Sequence, residues 1–354
     1  MKHQDPIKSI LVTGNAGYIG SVLVQRLVAL GYNVTGLDTF YYDDTCRLYS
    51  ESATPHVQIR KDIREIDVDT IEGFDAIIHL AALSNDPLGE FDPAITEEIN
   101  FHAAVSLAEK AKKSGVRRFI LASSQSMYGI ADSSSEVDED TSEKHPLTAY
   151  ARTKWDAECA ITELNDESFT VVCFRPSTVF GSSPKLRCDI VFNNLVGCAY
   201  TTGAIEIKSD GTPWRPVVHV EDVASSFISG LTAPATSVGG EAFNVGIENG
   251  NFTVRNLAEA AQRSVPGSTL VFTGEHGPDS RTYRVSFSKI FKLLGNYYKP
   301  EWDIDRGGKE LVAMFGRTEF TETQFRGQTC NRLPRLKYLV ETGKLDQKLR
   351  WNTR

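Results

Sequence analysis

A tyrosine and a lysine lie four residues apart near the middle of the chain, at Tyr150 and Lys154, in a segment with a helical pattern. Residues at this spacing share one face of a helix, so the two side chains would lie side by side. A nearby ammonium group favours the phenolate and lowers the pKa of a tyrosine. Such a tyrosine can act as general base on an alcohol or sugar hydroxyl while a hydride leaves for a nicotinamide.

The spacing alone is weak evidence, because such pairs occur by chance on helix surfaces. Of the twelve tyrosines, however, only Tyr150 has a lysine four residues later, and it lies between the fifth and sixth predicted strands. Ser124, at the end of the fifth strand, could share the substrate oxygen through a hydrogen bond. Together Ser124, Tyr150 and Lys154 predict a site that oxidises a hydroxyl group.

A hydride acceptor is predicted by the N-terminal segment, where an apolar strand leads into Gly14, Gly17 and Gly20 and then into a helical pattern. Such a turn presents free backbone N–H groups and the positive end of a helix dipole to a diphosphate. The spacing departs from G-x-G-x-x-G, and a tight turn between packed elements is the alternative. The next strand ends at Asp38, where a carboxylate can accept hydrogen bonds from an adenosine ribose, which favours NAD over NADP.

Other polar residues near the predicted strand ends have open interpretations. Asp62, after the third strand, could meet an adenine amino group or cap the next segment. His79, in the fourth strand, is interpreted as a packed residue rather than a catalyst. Asn100 lies in a long helix predicted over residues 93–114 and needs a polar partner if it faces inward.

Apolar strands alternate with helical patterns over the first half of the chain, which predicts a parallel sheet covered on both faces. We therefore predict an α/β fold: a Rossmann-type doubly wound parallel sheet with a smaller mixed α/β C-terminal lobe. The predicted domains are residues 1–180, with a strand near 243–246 returning to the sheet, and residues 181–354, which end in a helical tail. Ligands of such sheets gather at the carboxyl ends of the strands.

Composition narrows the class of protein. The 354 residues carry a formal net charge of −8, which argues against a nucleic-acid-binding protein. No apolar run could span a bilayer and no secretory segment opens the chain, so we expect a cytoplasmic protein without membrane contact. The six cysteines form no C-x-x-C pair and the seven histidines no H-E-x-x-H motif, so reduced thiols are expected and no metal is indicated.

These motifs together resemble the extended short-chain dehydrogenase/reductases, the family of NAD-dependent nucleotide-sugar epimerases and dehydratases. The resemblance spans about residues 7–290, and its segments are 13–20, 79–82, 123–129, 150–154, 175–176, 193–195 and 211–224. It implies NAD as cofactor, a nucleotide-diphosphate sugar as the ligand of the second lobe, and a homodimer formed through helices of the first domain.

The resemblance also implies roles for individual residues: Tyr150 as base, Lys154 as its activator and a ribose ligand, and Ser124 as the oxygen anchor. Implied cofactor contacts, besides Tyr150 and Lys154, are Gly14, Gly17, Tyr18, Ile19, Gly20, Asp38, Asp62, Ile63, Leu80, Ala81, Ala82, Asn100 and Ser177. Implied substrate contacts are Ser84, Ser124, Gln125, Ser126, Tyr150, Thr178, Asn194, Arg215 and Arg281. Of these, Asn194, Arg215 and Arg281 match positions that hold the nucleotide diphosphate, a dianion that suits bidentate arginines.

Departures from the family pattern narrow the reaction. Ser124-Gln125-Ser126 stands where sugar 4,6-dehydratases carry Thr-Asp-Glu, so the acid and base of that elimination are missing. Thr178 stands where many members have a substrate-binding asparagine. Segments 188–192 and 279–285 resemble a branch that acts on surface-polysaccharide or antibiotic sugars.

The favoured function is therefore epimerisation of a nucleotide-linked sugar through a transient keto sugar, with C4 as the favoured carbon. The alternative is a nucleotide-sugar dehydrogenase or ketoreductase, which would use the same residues. A non-catalytic NAD-binding regulator is disfavoured by the intact set of Ser124, Tyr150 and Lys154. The chain has neither a G-x-S-x-G elbow nor a G-x-x-x-x-G-K-[ST] loop, which argues against a hydrolase and a kinase.

Overall fold

A computed structural model describes residues 6–131, 134–207, 209–272 and 282–352. Their strands are β1 (Ser9–Thr13), β2 (Asn33–Asp38), β3 (Val57–Arg60), β4 (Ala76–His79), β5 (Arg118–Ala122), β6 (Glu136–Val137), β7 (Thr170–Pro176), β8 (Thr178–Phe180), β9 (Ala204–Ile207), β10 (Trp214–His219), β11 (Glu241–Val245), β12 (Asn251–Thr253), β13 (Thr269–Phe272) and β14 (Arg284–Val285). Their α-helices are α1 (Tyr18–Ala29), α2 (Val68–Ile71), α3 (Asp86–Gly89), α4 (Pro93–Glu97), α5 (Ala104–Lys113), α6 (Ala149–Thr162), α7 (Val191–Thr202), α8 (Val220–Thr232), α9 (Ala235–Val238), α10 (Val254–Ser264), α11 (Ser288–Leu294), α12 (Ile304–Arg317), α13 (Glu322–Arg326) and α14 (Arg332–Glu341).

Seven parallel strands form the main sheet in the order β11-β7-β5-β4-β1-β2-β3. The chain builds outward from β1 in one direction through β2 and β3, then crosses to β4 on the other side. The predicted doubly wound α/β fold is confirmed. The change of direction between β1 and β4 opens a crevice at their carboxyl ends, which is where ligands of such sheets bind.

Side chains of the central strand alternate between two hydrophobic cores, one on each face of the sheet. Ile10 and Val12 belong to one core and Leu11 to the other, and all three are fully buried. Because both faces are covered, the strands are apolar nearly throughout rather than alternating with polar residues.

The smaller lobe consists of short sheets and helices built mainly from residues beyond β7. Strands β8, β10 and β12 form one sheet, while β9 pairs with β13 and β6 with β14. Strand β11 leaves this lobe and pairs with β7 at the edge of the main sheet, as expected for the strand near 243–246. None of the helices in the described ranges is both long enough and apolar enough to cross a bilayer.

The C-terminal tail does not stay with the smaller lobe, to which the sequence analysis assigned it. Leu336 and Leu339 of α14, followed by Leu345 and Leu349, are buried in the same core as Leu11 of the main sheet. The apolar stripe predicted for this segment therefore packs on the first domain. A sequence pattern shows that a helix has an apolar face, but not which body that face covers.

The helix predicted over residues 93–114 is interrupted by a π-helical segment, Glu98–Ala103, between α4 and α5. Asn100 lies in this segment and is buried. Its Oδ1 accepts a hydrogen bond from the Leu83 N–H at 2.8 Å, and its Nδ2 donates to the Leu83 carbonyl at 3.1 Å. A π-bulge turns one side chain out of the regular helical phase, and here it ties the helix to the loop after β4.

A buried ion pair fixes the end of β7 against α6. Arg175 Nε donates to both Glu158 carboxylate oxygens, at 3.0 and 3.1 Å, and the two side chains are only 3% and 4% exposed. Arg175 also donates to the Tyr128 hydroxyl at 2.9 Å, and its carbonyl accepts from Gln125 Nε2 at 2.9 Å. The pair therefore supports the loop that follows Ser124.

We predict that Glu158→Ala lowers the free energy of unfolding by about 3–5 kcal/mol, because it leaves a buried guanidinium without its partner. Denaturant unfolding measures this change. Glu322→Ala is the matched control, since it removes a pair whose two side chains are 52% and 54% exposed, and it should cost less than about 1 kcal/mol. Equal effects in the two variants would show that the buried pair contributes no special stability.

Candidate active site

A cleft of about 1210 Å³ opens where β1, β2, β4, β5 and β7 end and continues into the smaller lobe. Its lining includes most of the residues predicted for the two ligands: Gly14, Gly17, Tyr18, Ile19, Gly20, Asp38, Asp62, Ile63, Leu80, Ala81, Ala82, Ser84, Ser124, Gln125, Ser126, Tyr150, Lys154, Ser177, Thr178, Asn194 and Arg215. The fold thus brings residues from distant parts of the sequence to one edge of the sheet. Their individual contacts with a ligand stay predictions.

The glycine turn forms the floor of this cleft by close approach of backbone to backbone. Gly14 has φ +73°, and a Cβ there would lie 2.7 Å from the Ala81 nitrogen; a Cβ on Gly20 would lie 2.2 Å from the Gly14 carbonyl oxygen. Gly17 is the N-cap of α1, and no side chain caps that helix start. The first N–H groups of α1 are therefore left for an anion, which fits the diphosphate of NAD.

Asp38 ends β2 at the side of this turn and is held by two backbone donors. Its carboxylate accepts from the Phe40 N–H at 2.8 Å and from the Ala16 N–H at 3.1 Å. Burial raises the pKa of Asp38, and these two hydrogen bonds oppose the rise. The carboxylate is thus fixed in a position that suits the ribose of a bound NAD.

In the structure Asp62 caps the segment that follows it, which is one of the two roles considered from the sequence. Its carboxylate accepts the Arg64 N–H at 2.9 Å and caps the 3₁₀ turn Ile63–Glu65. The same carboxylate pairs with the Arg64 guanidinium at 2.6 Å. Asp62 still lines the cleft, so the adenine contact remains a prediction beside this structural role.

The three predicted catalytic side chains meet at the end of β5. Ser124 and Tyr150 line the same cleft, and Lys154 lies one turn further along α6 with its Nζ donating to the Ala122 carbonyl at 2.8 Å. Ser124 Oγ donates to Ser126 Oγ at 3.1 Å. Burial raises the pKa of Tyr150, an effect that the nearby Ser124 hydroxyl opposes. Burial also lowers the pKa of Lys154 to about 8.

These shifts differ from the simple expectation that Lys154 lowers the pKa of Tyr150. Loss of solvation shifts each group toward its neutral form, although Lys154 keeps its charge below about pH 8. Lys154 Nζ donates to the Ala122 carbonyl of β5 and not to the tyrosine oxygen. The protein by itself therefore holds the base protonated, and activation of Tyr150 requires a change in the electrostatics of this cleft.

Several predicted contacts are already engaged within the protein. The Tyr18 hydroxyl donates to the Gly181 carbonyl at 2.8 Å, and Ser177 Oγ donates to the Val245 carbonyl at 2.9 Å. Asn194 Nδ2 donates to the Cys188 carbonyl at 2.8 Å. These side chains shape the wall as well as lining it.

Two predicted residues are not placed in the cleft. Asn100 lies behind its wall and fixes the loop at Leu83 through the two hydrogen bonds described above. Arg281 lies outside the described residues. His79 is buried, with Nδ1 2.7 Å from Thr13 Oγ1, and burial lowers its pKa to about 3, as suits a packed histidine.

Among the charged residues that line the cleft, Arg187, Asp189 and Arg332 were not predicted as site residues. Arg187 and Asp189 form a buried bidentate pair with distances of 2.8 and 3.0 Å. Arg187 Nη1 also donates to Ser84 Oγ at 2.8 Å. Burial alone would raise the pKa of Asp189, but Arg187 brings it below its usual value. Arg187 and Asp189 lie two positions apart, but no local motif marks this pair, and Ser84, the other partner of Arg187, is distant in sequence.

The glycine turn, Asp38 and the Ser124–Tyr150–Lys154 set on a doubly wound sheet define an NAD-dependent oxidoreductase of the extended short-chain dehydrogenase/reductase type. A family model described as "NAD dependent epimerase/dehydratase family" matches residues 10–246. The chain belongs to this family, whose members act on nucleotide sugars, and NAD is its cofactor.

Similar proteins include a UDP-glucuronate 4-epimerase of Thermodesulfobacterium geofontis, 28% identical over 85% of this chain and 94% of that protein. A UDP-glucose 4-epimerase of Bacillus subtilis is 27% identical over 86% of this chain and 95% of its own length. Among solved structures, MoeE5 in complex with UDP-glucose and NAD superposes with a TM-score of 0.74. It is 26% identical, and the match covers 88% of this chain and 99% of MoeE5.

We predict that Asp38→Ala weakens NAD binding by about 10- to 100-fold, because it removes a charged acceptor of two ribose hydroxyls. The preference for NAD over NADP should narrow as well, since the repulsion of a 2′-phosphate is lost. Titration calorimetry with both cofactors measures the two effects. Asp67→Ala, at a 59% exposed carboxylate of the same domain, should change neither affinity.

We predict that Lys154→Met stabilises the nucleotide-free protein by about 3 kcal/mol at pH 7. Below pH 8 the lysine is charged in both folded and unfolded chains, and the folded state bears the cost of burial. As pH rises from about 8 to 10.5 the folded protein releases the proton first, so the wild type should gain stability and the difference should shrink.

Denaturant unfolding of nucleotide-free protein at pH 7 and pH 10 measures this difference. Lys113→Met, at an exposed lysine, is the control and should change stability little at either pH. A Lys154→Met protein less stable than the wild type at pH 7 would contradict a net cost of burying this ammonium.

Proposed function

We propose that the enzyme is a UDP-sugar 4-epimerase that works through a transient 4-keto sugar. The observation that carries the proposal is that Ser124, Tyr150 and Lys154 line the same cleft as the glycine turn. The similarity to UDP-sugar 4-epimerases supports the choice of nucleotide, carbon and reaction.

Bound NAD would accept and return one hydride of the sugar. Tyr150 takes the proton of the C4 hydroxyl as the hydride leaves, and Ser124 holds the same oxygen by a hydrogen bond. The ammonium of Lys154, at its normal charge below pH 8, and the positive charge that NAD brings favour the phenolate of Tyr150. Tyr150 then gives the proton back to the oxygen when the hydride returns to the opposite face of the turned keto sugar.

The smaller lobe supplies the groups proposed to hold the nucleotide diphosphate. Asn194 of α7 and Arg215 of β10 line the same cleft as the glycine turn. Arg187 and Ser84, joined at 2.8 Å, line it as well. A sugar tethered by its diphosphate can turn in the pocket while it stays bound, which an epimerase requires. The homodimer expected from the resemblance is not needed for this scheme.

We predict that Tyr150→Phe lowers turnover by about 10²- to 10⁴-fold and leaves NAD affinity within about threefold, because only the proton-transferring oxygen is removed. Conversion of UDP-glucose to UDP-galactose, with UDP-glucuronate as second substrate, provides the assay. Tyr128→Phe removes a buried tyrosine hydroxyl that does not line the cleft and that donates to Asn244 at 3.0 Å, so it controls for general loss of packing. Unchanged turnover in Tyr150→Phe would overturn the catalytic assignment.

Return of the same hydride separates an epimerase from a dehydrogenase. With a substrate deuterated at C4, we expect the epimeric product to keep the deuterium and no free NADH to accumulate. Mass spectrometry of the product and absorbance at the NADH band measure both. Stoichiometric release of NADH with a keto or acid product would replace the epimerase proposal by a dehydrogenase.

A further inference from the structure

The C-terminal tail contributes one arginine to the cleft. Arg332 is the first residue of α14 and is only 2% exposed. Its Nη2 donates to the Lys185 carbonyl at 2.5 Å and contacts the Leu186 carbonyl at 3.4 Å. Its guanidinium carbon lies 4.9 Å from the ring centre of Tyr42, in the loop after β2. Arg332 thus bridges the tail, the loop after β8 and the loop beside Asp38.

Two polar atoms of this contact have no hydrogen-bond partner among the described residues. Arg332 Nη1 and Tyr42 Oη are both shielded from solvent, and both residues line the cleft. A buried donor without a partner costs about 1–3 kcal/mol. Two such donors, on two residues that pack against each other and line a ligand cleft, indicate that a ligand completes their hydrogen bonds.

The charge of Arg332 is also left without a direct counter-ion. Asp189 is the nearby carboxylate, but both of its oxygens are taken by the bidentate pair with Arg187. Asp189 accepts the Arg332 backbone N–H at 3.4 Å and also feels the charge of its guanidinium, but it forms no ion pair with it. In the ranges that the structure describes, no carboxylate lies within ion-pair distance of the Arg332 guanidinium. A buried cation in this state favours an anionic ligand.

We propose that Arg332 and Tyr42 form a binding site for a ligand diphosphate. The guanidinium supplies charge and an N–H donor, and the phenol supplies an O–H donor, which suits an anion with several acceptor oxygens. Both ligands of this enzyme carry a diphosphate. Tyr42 follows Asp38 by four residues, and Ser183 of the contacting loop donates to the Tyr18 carbonyl at the start of α1 at 2.8 Å. This placement favours the diphosphate of NAD.

The inference is independent of epimerisation, because its test measures binding rather than turnover. Arg332→Met keeps the length of the side chain and removes its charge. Arg335→Met is the matched control: it removes another buried arginine of α14, which donates to the Tyr41 carbonyl at 3.4 Å and is absent from the cleft lining. Calorimetry with ADP-ribose and adenosine, and with UDP and uridine, compares ligands with and without the diphosphate.

We expect Arg332→Met to bind ADP-ribose at least about tenfold more weakly than Arg335→Met, with adenosine affinity unchanged. If Arg332→Met instead loses about tenfold in affinity for UDP, the site is assigned to the diphosphate of the nucleotide sugar. If Arg332→Met and Arg335→Met bind ADP-ribose equally well and also bind UDP equally well, the proposal is overturned. It is also overturned if Arg332→Met loses as much affinity for adenosine as for ADP-ribose. Failure of the wild type to bind UDP would count against the proposed function alone.

Tyr42→Phe keeps the test decisive if Arg332→Met does not fold. It removes one oxygen and leaves the ring on which the guanidinium packs. We expect it to weaken ADP-ribose about three- to tenfold, with an unchanged melting temperature in the absence of ligand. An unchanged or tighter affinity would show that Tyr42 Oη gains no partner from the ligand and would overturn its part of the site.

Discussion

Contact between two stretches of backbone, Gly14 and the Leu80–Ala81 segment, is the constraint on which the cleft depends. The space for a Cβ at Gly14 is occupied by the Ala81 nitrogen at 2.7 Å. This contact brings the ends of β1 and β4 together at the crevice and leaves the start of α1 uncapped. The loop after β4 in turn carries Ser84, and Asn100 of the π-helical segment holds it from behind. Cofactor floor and substrate wall are therefore set by one packing contact.

The site is built from groups that are costly to bury. Lys154 and Arg187 are buried and Asp38 and Asp189 are partly buried, and the pKa of Asp38 rises while that of Lys154 falls. In each case the surrounding protein offers backbone or paired partners but not full solvation. The protein is thus less stable than an apolar cleft would make it. Ligands that bring opposite charges recover part of this cost, so binding and stability are linked.

Local signals were enough to predict the sheet, the glycine turn, Asp38 and the Ser124–Tyr150–Lys154 set. Each rests on strand and helix periodicity or on a spacing of a few residues, which the chain itself enforces. The contact of Arg332 with Tyr42 could not be found in this way, because 290 positions separate them in the sequence and only the fold joins them. The π-helical segment at Asn100 was also missed, since its apolar pattern is that of an ordinary helix. The tail was assigned to the smaller lobe because its apolar stripe does not show which core it packs on.

The path of the tail has a consequence for the order in which the molecule can assemble. Leu349 is fully buried beneath the sheet, its carbonyl accepts from the Tyr41 hydroxyl, and the Trp351 indole donates to the Thr39 carbonyl. During synthesis, the core of the first domain is therefore completed by residues encoded after the entire second lobe. Helices α5 and α6 already cover part of this face of the sheet, but the tail's share of it and its contacts with the loop beside Asp38 form last. The nucleotide pocket is in this sense the last part of the protein to be finished, although its signature motif is the first to leave the ribosome.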